Sequence, residues 1–326
     1  MKSIFIGLRS KIQSVSDHIR SSRFKKLIWA ALAYAAVMLV SYLVLKMALP
    51  QPNLQNEHHL VLAIEVPEKP TGSAEAISEK INSIDRTERF LAPFNRSDTR
   101  PRIALIIKGL GLHEMRTKKA ILDLPPAVTL AFSPYATDTS FWIEQSIQNR
   151  HETLISIPFE TEDFPNQDPG PLALTRGIST KLSMDHLETI QNMGGTHIGY
   201  INDFGDVYTR DIINLKALYA WARSHNALFI EHLYDPDAFV ARPEFIAEHY
   251  IHTLDKIDHI ATPDRIVTRL KHLEREAQKK GYAIGVASDY PVTLEVIKKW
   301  AETVEKRGMT LSPISAVLER RNEHNR

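Results

Sequence analysis

Lys108 is the first charged side chain after the run Ile103-Ala104-Leu105-Ile106-Ile107, and Gly109-Leu110-Gly111 follows it. Five consecutive aliphatic residues read as a strand buried on both faces. Lys108 therefore stands at the strand's C-terminal end, where α/β folds gather their functional groups. An ammonium there can bind an anion or pair with carboxylates, and it opposes a metal cation. The glycine pair invites a phosphate-loop reading, but the further glycine and the Lys-Ser/Thr that specify such a loop are missing, so a tight strand-to-helix turn is expected. His151-Glu152 precedes a strand and is read as a source of helix-end or loop hydrogen bonds, because no second histidine stands at helical or strand spacing from it. His249 and His252 fall on opposite faces of a strand-like segment, which weakens a joint metal site. Phe132, Tyr135, Trp142, Phe159, Phe204 and Tyr208 offer aromatic faces for stacking on sugar rings, although half or more are expected in the core.

The elements that must position these groups alternate along the second part of the chain. Strand candidates are Ile103–Ile107, Val128–Phe132, Thr153–Ile157, His197–Ile201, Ala227–Ile230, His249–His252, Ala283–Ala287 and Thr310–Ser312. Between them the spacing predicts helices that include Thr139–Asn149, Leu187–Met193, Arg210–Ser224, Pro263–Lys280 and Thr293–Arg307, with Gly281 and Gly308 placed as left-handed caps. Such alternation is the signature of a mostly parallel βα architecture. The number of units approaches that of a closed eight-stranded barrel, so an incomplete or distorted (β/α) barrel is expected.

The chain has 326 residues, 43% of them hydrophobic, enough for a full core. Its 40 basic side chains balance 39 acidic ones, which gives no concentrated positive charge for nucleic acid. Cysteine is absent, and with it any disulfide, thiolate metal site or cysteine nucleophile. Leu27 to Leu45 contains no charged residue, and as a helix its 19 residues extend about 28 Å, close to the bilayer hydrocarbon thickness. The preceding basic residues Lys2, Arg9, Lys11, Arg20, Arg23, Lys25 and Lys26 orient the N-terminus to the cytoplasm. A cleaved signal peptide is the rival reading, against which stand the length of the run and the poor cleavage site around Met47-Ala48-Leu49-Pro50. The expected organisation is a basic cytoplasmic N-terminus (1–26), a signal-anchor helix (27–48), a polar linker (49–101), a folded domain (102–320) and a polar tail (321–326).

From Pro101 to Leu318 a series of ordered landmarks resembles the divergent polysaccharide deacetylases, relatives of the NodB-type carbohydrate esterases. They are Ile103–Gly111, Leu130-Ala131-Phe132-Ser133-Pro134-Tyr135, His151-Glu152 with Leu154–Glu160, and Pro169-Gly170-Pro171. Gly199–Asp206 with Thr209, Phe229-Ile230-Glu231, and Ala283-Ile284-Gly285 through Tyr290–Leu294 complete the series. The resemblance implies a distorted (β/α) barrel in an exported protein. It also implies a divalent metal such as zinc, held by one aspartate and two histidines, that polarises a sugar amide and activates water beside a carboxylate base.

Carried over residue by residue, that apparatus is replaced here. Lys108 and Gly109 stand for the paired aspartates. Asn202 and Gly205 match their motif, but its histidine is Asp203 and its serine is Asp206. Glu231, with His232 next to it, stands for a further aspartate, and Ala287-Ser288-Asp289 replaces Gly-His-Pro. His252 stands at the loosest of the aligned positions, where an aspartate is expected. The resemblance thus gathers Lys108, Asp203, Asp206, Glu231, His232 and Asp289 at the C-terminal mouth, with Asn202, Tyr135, Phe159 and Tyr208 as candidate binding residues and no metal or other cofactor.

Three readings of the mouth follow. Lys108 takes the place of the metal and pairs with Asp203 or Glu231; or the charges are solvated loop residues with no common task; or Asp203, Asp206, Glu231 and Asp289 form a carboxylate-rich metal site or a glycosidase-like acid/base site. The expected role is a non-catalytic, pseudoenzyme binder of a cell-envelope glycan or an envelope protein. Its place would be the bacterial inner membrane, with the domain in the periplasm. The alternatives are a carbohydrate-active hydrolase with a rebuilt acidic site and a purely structural module.

Overall fold

The computed structural model describes residues 94–234, 249–253 and 255–324, together with Trp29, Met38, Leu39 and Ala92. The chain divides into two units, Met1–Gly72 and Ser73–Arg326. In the first, Trp29, Met38 and Leu39 are helical and exposed. The remainder of the proposed membrane helix, the basic N-terminus and most of the proposed linker lie outside the described residues. Among the described residues no helix is long and apolar enough to cross a membrane.

The second unit is a parallel β/α barrel. Its strands are β1 (Arg102–Leu110), β2 (Thr129–Phe132), β3 (Thr153–Pro158), β4 (Gly199–Asp203), β5 (Leu228–His232), β6 (Tyr250–Thr253), β7 (Asp255–Lys256), β8 (Tyr282–Ser288) and β9 (Thr310–Leu311). They form one nine-stranded sheet in the order β6-β5-β4-β3-β2-β1-β8-β7, with β9 beside β1 and every pairing parallel. The helices are α1 (Glu114–Asp123), α2 (Thr139–Gln148), α3 (Thr180–Met193), α4 (Val207–Arg210), α5 (Ile212–Ser224), α6 (Pro263–Lys280), α7 (Pro291–Val304) and α8 (Ile314–His324). Ser179 caps α3 by accepting from the Leu182 amide. Gly281, with φ +79°, ends α6 in the left-handed conformation that glycine adopts without cost.

Each expected strand is present within two residues of its expected ends, apart from β1, which runs three residues further to Leu110, and β7 is additional. The expected Arg210–Ser224 helix is two, α4 and α5, parted at Asp211, whose carboxylate caps α5. α3 begins at Thr180, ahead of the expected Leu187. Packing begins before Arg102: the Ala92 amide donates to Glu152, and Arg96 pairs with Glu319.

Strand alternation sorts the apolar residues into two layers. Ile103, Leu105, Ile107, Phe132, Phe159 and Phe229 pack outward under the helices. Ala104, Ile106, Ile201, Ile230, Ile284 and Val286 fill the barrel interior, joined by Ile314, Val317 and Leu318 of α8. α8 plugs the end where strands start: its Ile314 amide donates to Thr129, and Ser315 donates to Glu152. The barrel is nearly closed. Between β6 and β8 the seam is bridged by the Thr253 hydroxyl, which donates to the Ile284 carbonyl at 2.6 Å.

Candidate functional site

Lys108, Asp203 and His232 each come two residues after an interior apolar side chain, namely Ile106, Ile201 and Ile230. Alternation therefore turns all three inward, one layer above the apolar filling, at the C-terminal mouth. The Lys108 side chain is only 6% exposed. Its Nζ donates to Asp203 Oδ1 at 2.8 Å, the Tyr234 hydroxyl at 2.8 Å and the Asn202 carbonyl at 3.1 Å, with His232 Nδ1 at 3.4 Å. The first three use all the donors an ammonium has. Just beyond Lys108 the register of β1 against β2 shifts between Ile107 and Leu110, and Gly109 sits at φ +83°. This extra residue bends β1 at the mouth.

Asn202 faces the other way and is wholly buried. Its amide donates to the Gly205 and His232 carbonyls at 2.7 and 2.8 Å, and its Oδ1 accepts from the His232 amide at 2.6 Å. It fastens the end of β4 to that of β5 and so sets the spacing of Asp203 and His232. A Cβ on Gly205 would stand 2.1 Å from the Glu160 carbonyl, which explains why that position is glycine.

Burial works against ionisation of Asp203, but the Lys108 charge and hydrogen bond, with the Phe204 amide, outweigh it and hold the carboxyl below its ordinary range. Burial, reinforced by the charges of Lys108 and Lys256, keeps His232 well below the usual histidine range and therefore neutral. Burial and the Asp203 charge keep the Tyr234 phenol protonated.

The remaining sequence candidates are placed elsewhere. Asp206 lies in the loop after β4, where it pairs with Arg210 at 2.6 Å and accepts from the Tyr234 amide at 2.7 Å. Glu231 points outward with Phe229 and accepts from the Tyr250 hydroxyl, so alternation removes it from the Lys108 cluster. Asp289, after β8, lies beside Gly109 and faces Arg116 at 3.4 Å. Burial pushes its carboxyl up to about 6 against the pull of Arg116. The expectation of one cation among several carboxylates is thus corrected to one ammonium with one carboxylate, a neutral histidine and a phenol.

Phe159 and Tyr208 are core residues, 5.3 Å apart between ring centroids, and offer no face to a ligand. The Tyr135 hydroxyl accepts from the Leu172 amide at 3.1 Å and fills the space a Cβ would take at Gly170, so it holds the Pro169-Gly170-Pro171 loop. Phe132 and Trp142 are buried, whereas Phe204 is exposed. His151 and Glu152 behave as expected of local hydrogen bonders: His151 bonds the Val128 and Ile121 carbonyls, and Glu152 accepts from Ser315. Sequence reasoning missed Tyr234, although it lies two residues beyond His232, at the spacing that shares a strand face. It also missed Arg116 and Asp258. Asp258 accepts from the Ser288 amide at 2.7 Å and the Thr293 hydroxyl at 3.1 Å, bonds that only the folded chain brings together.

This donor set does not fit a divalent metal. A dication about 4 Å from the Lys108 ammonium would meet repulsion on the order of 8 kcal/mol, twice the roughly 4 kcal/mol for unit charges at an effective dielectric of about 20. That offsets half or more of the roughly 10–16 kcal/mol with which structural zinc sites bind. Among the described residues no group of three or more His, Cys, Asp or Glu side chains could hold a metal ion.

Fold and mouth together define a nearly closed parallel β/α barrel whose site is an ion pair walled by a histidine and a tyrosine. The sequence matches the divergent polysaccharide deacetylase family over residues 105–318, and the chain belongs to that family. No curated protein matches it. Among solved structures it is similar to the uncharacterized protein ATU2773 from Agrobacterium tumefaciens C58, with 27% identity and a TM-score of 0.68 over 72% of this chain and 96% of that one. A putative cellobiose-phosphate cleavage protein from Enterococcus faecalis V583 matches at 10% identity and a TM-score of 0.48, over 67% and 99%. BA3943 from Bacillus anthracis, described as a CE4 family pseudoenzyme, matches at 13% identity and a TM-score of 0.39, over 67% and 66%.

Proposed function

We propose that this protein is a membrane-anchored, periplasmic pseudoenzyme that uses the barrel mouth to bind a cell-envelope glycan, without metal and without hydrolysis. The observation that carries the proposal is the Lys108–Asp203 pair, with the ammonium's three donors satisfied inside the mouth. In a metal-dependent deacetylase the cation polarises the acyl carbonyl and activates water. Here an ammonium already bound by Asp203 and Tyr234 supplies neither an open coordination position nor an ionised water. Neutral His232 retains hydrogen-bonding capacity, which suits recognition of hydroxyl groups. An envelope protein remains the other class of partner for the same surface.

The test is calorimetric titration of the detergent-solubilised full chain with Zn²⁺, Mn²⁺ and Ca²⁺, together with metal content and acetate release from chitotetraose. The expected result is no stoichiometric metal and no acetate. One tightly held metal per chain, lost in Asp203→Asn, would overturn the proposal.

A hydrolase with a rebuilt acidic site is the second reading, and Asp289 is the observation in its favour. Its carboxyl is raised to about 6, and its Oδ2 is buried with no hydrogen-bond partner among the described residues, as is Oδ1 of Asp258. A general acid for sugar chemistry has such properties. Loss of any measured glycan hydrolysis in Asp289→Asn, with binding retained, would support that reading over the first.

A further inference from the structure

Beside the Lys108 cluster, and sharing His232 and Tyr234 with it, a cavity of about 380 Å³ opens between the end of β5, the β7–α6 connection and the first turns of α6. Its lining includes Leu233, Lys256, His259, Ile260, Arg265 and Arg269, and among the described residues it contains no carboxylate. Arg269 is balanced by Asp255 at 2.9 Å. Lys256 and Arg265 have no ion-pair partner among the described residues, and the Lys256 charge reaches across the mouth to act on both Asp203 and His232. Two cations held at one concave wall repel each other, and an anion entering between them relieves that repulsion.

The rest of the wall is apolar in character. Ile260 is 51% exposed and Tyr234 is 38% exposed, with one side of its ring packed on His232 at 4.4 Å between centroids. A flat apolar face beside two cations that have no ion-pair partner among the described residues matches a ligand with a C–H face and an acidic substituent, which is the chemistry of a sugar acid or sugar phosphate. The volume falls at the small end of the roughly 300–1,000 Å³ typical of ligand pockets, which suits a terminal sugar unit better than a long chain segment.

We propose that this cavity selects an anionic saccharide, its carboxylate or phosphate taken by Lys256 and Arg265 and its ring lying against Tyr234 and Ile260. The inference rests on the glycan-binding reading above and adds the substrate class to it.

The experiment is calorimetric titration of the full chain in detergent with trigalacturonate, N-acetylglucosamine 6-phosphate and neutral chitotriose, each at low and high salt. An acidic sugar is expected to bind at least tenfold more tightly than chitotriose, and more weakly at high salt. Lys256→Glu and Arg265→Glu, both at solvent-accessible positions, should each weaken it at least tenfold, while Lys299→Glu on the outer face of α7 leaves it unchanged. Whichever acidic probe binds more tightly identifies the anion as carboxylate or phosphate. Chitotriose binding as well as the acidic sugars, indifferent to Lys256→Glu, would overturn this inference and leave the glycan-binding reading standing. Failure of all three sugars to bind would overturn both.

Discussion

Lys108 Nζ and Asp203 Oδ1 lie 2.8 Å apart at equivalent heights on β1 and β4, strands that are not neighbours in the sheet, so the pair spans the barrel interior. A cross-barrel ion pair of this kind is costly to bury and more costly to break. It also fills the space that a shared metal would need, so a single contact bears on both stability and chemistry.

Removing one partner is expected to expose that cost. Lys108→Met leaves the Asp203 carboxylate, 21% exposed, without its cation, and should destabilise the protein by about 3–5 kcal/mol in urea unfolding at pH 7. Lys108→Met combined with Asp203→Asn should recover much of the loss, giving a coupling energy above 1 kcal/mol. Additive effects, or a single-variant loss below the roughly 1 kcal/mol of a surface pair, would show that the two groups are solvated independently.

The same pair sets an acid limb. The folded-state pKa of Asp203 lies below its unfolded value near 4, so its contribution is complete above that value and is lost as pH falls through the folded pKa. Lys108→Met should flatten this limb below about pH 4 in a stability profile. An unchanged limb would assign acid sensitivity to other carboxylates.

Glu152 acts in the opposite sense. It is fully buried between Ser315 and the Ala92 amide, and burial raises its pKa to about 7. The folded state then holds a proton that the unfolded state releases from about pH 4.5 upward, so stability declines as pH rises from about 4.5 to about 7. A shift of that size is worth roughly 3 kcal/mol at pH 8. Glu152→Gln removes this decline and sacrifices about 1 kcal/mol of hydrogen bonding, for a net gain of about 2 kcal/mol at pH 8. A parent profile flat across that window would refute the assignment.

Asp289 gives a direct spectroscopic check. Its side-chain carboxyl ¹³C resonance should titrate with a midpoint of about 6, and Arg116→Met should move the midpoint upward, because the guanidinium at 3.4 Å favours the ionised form. A midpoint near 4 in the parent would place the carboxyl in water and remove the observation on which the hydrolase reading rests.

The barrel was legible because its strands are written as apolar runs on buried parallel strands, and Pro263 and Gly281 bracket α6 in the sequence itself. β7 was not, since its pair Asp255-Lys256 has no apolar signal and exists only because it lies against Gly285 and Val286. Within the site, Lys108 could be read as the replacement of a metal ligand, but its partner was left between Asp203 and Glu231. Strand parity decides it: Asp203 shares the face of Ile201, whereas Glu231 shares that of Phe229. Tyr234 and Arg116 remained hidden because their contacts join segments far apart in the sequence, and aromatic type alone could not tell the core residues Phe159 and Tyr208 from a binding surface.

The anchor is open to test independently of the mouth. The uncharged stretch from Leu27 to Leu45 follows seven basic residues and one acid, a pattern for which the positive-inside rule predicts a cytoplasmic N-terminus. The full chain is therefore expected in the membrane fraction, resistant to carbonate extraction, while a chain lacking residues 1–48 behind a cleavable export signal should be released with the periplasmic contents. Protease added to spheroplasts should degrade the barrel, and protease added to intact cells should not. A full chain that appears in the periplasmic extract with Leu49 or a nearby residue at its N-terminus would show cleavage instead of anchoring. Protection of the barrel in spheroplasts would reverse the orientation and with it the access to an envelope glycan.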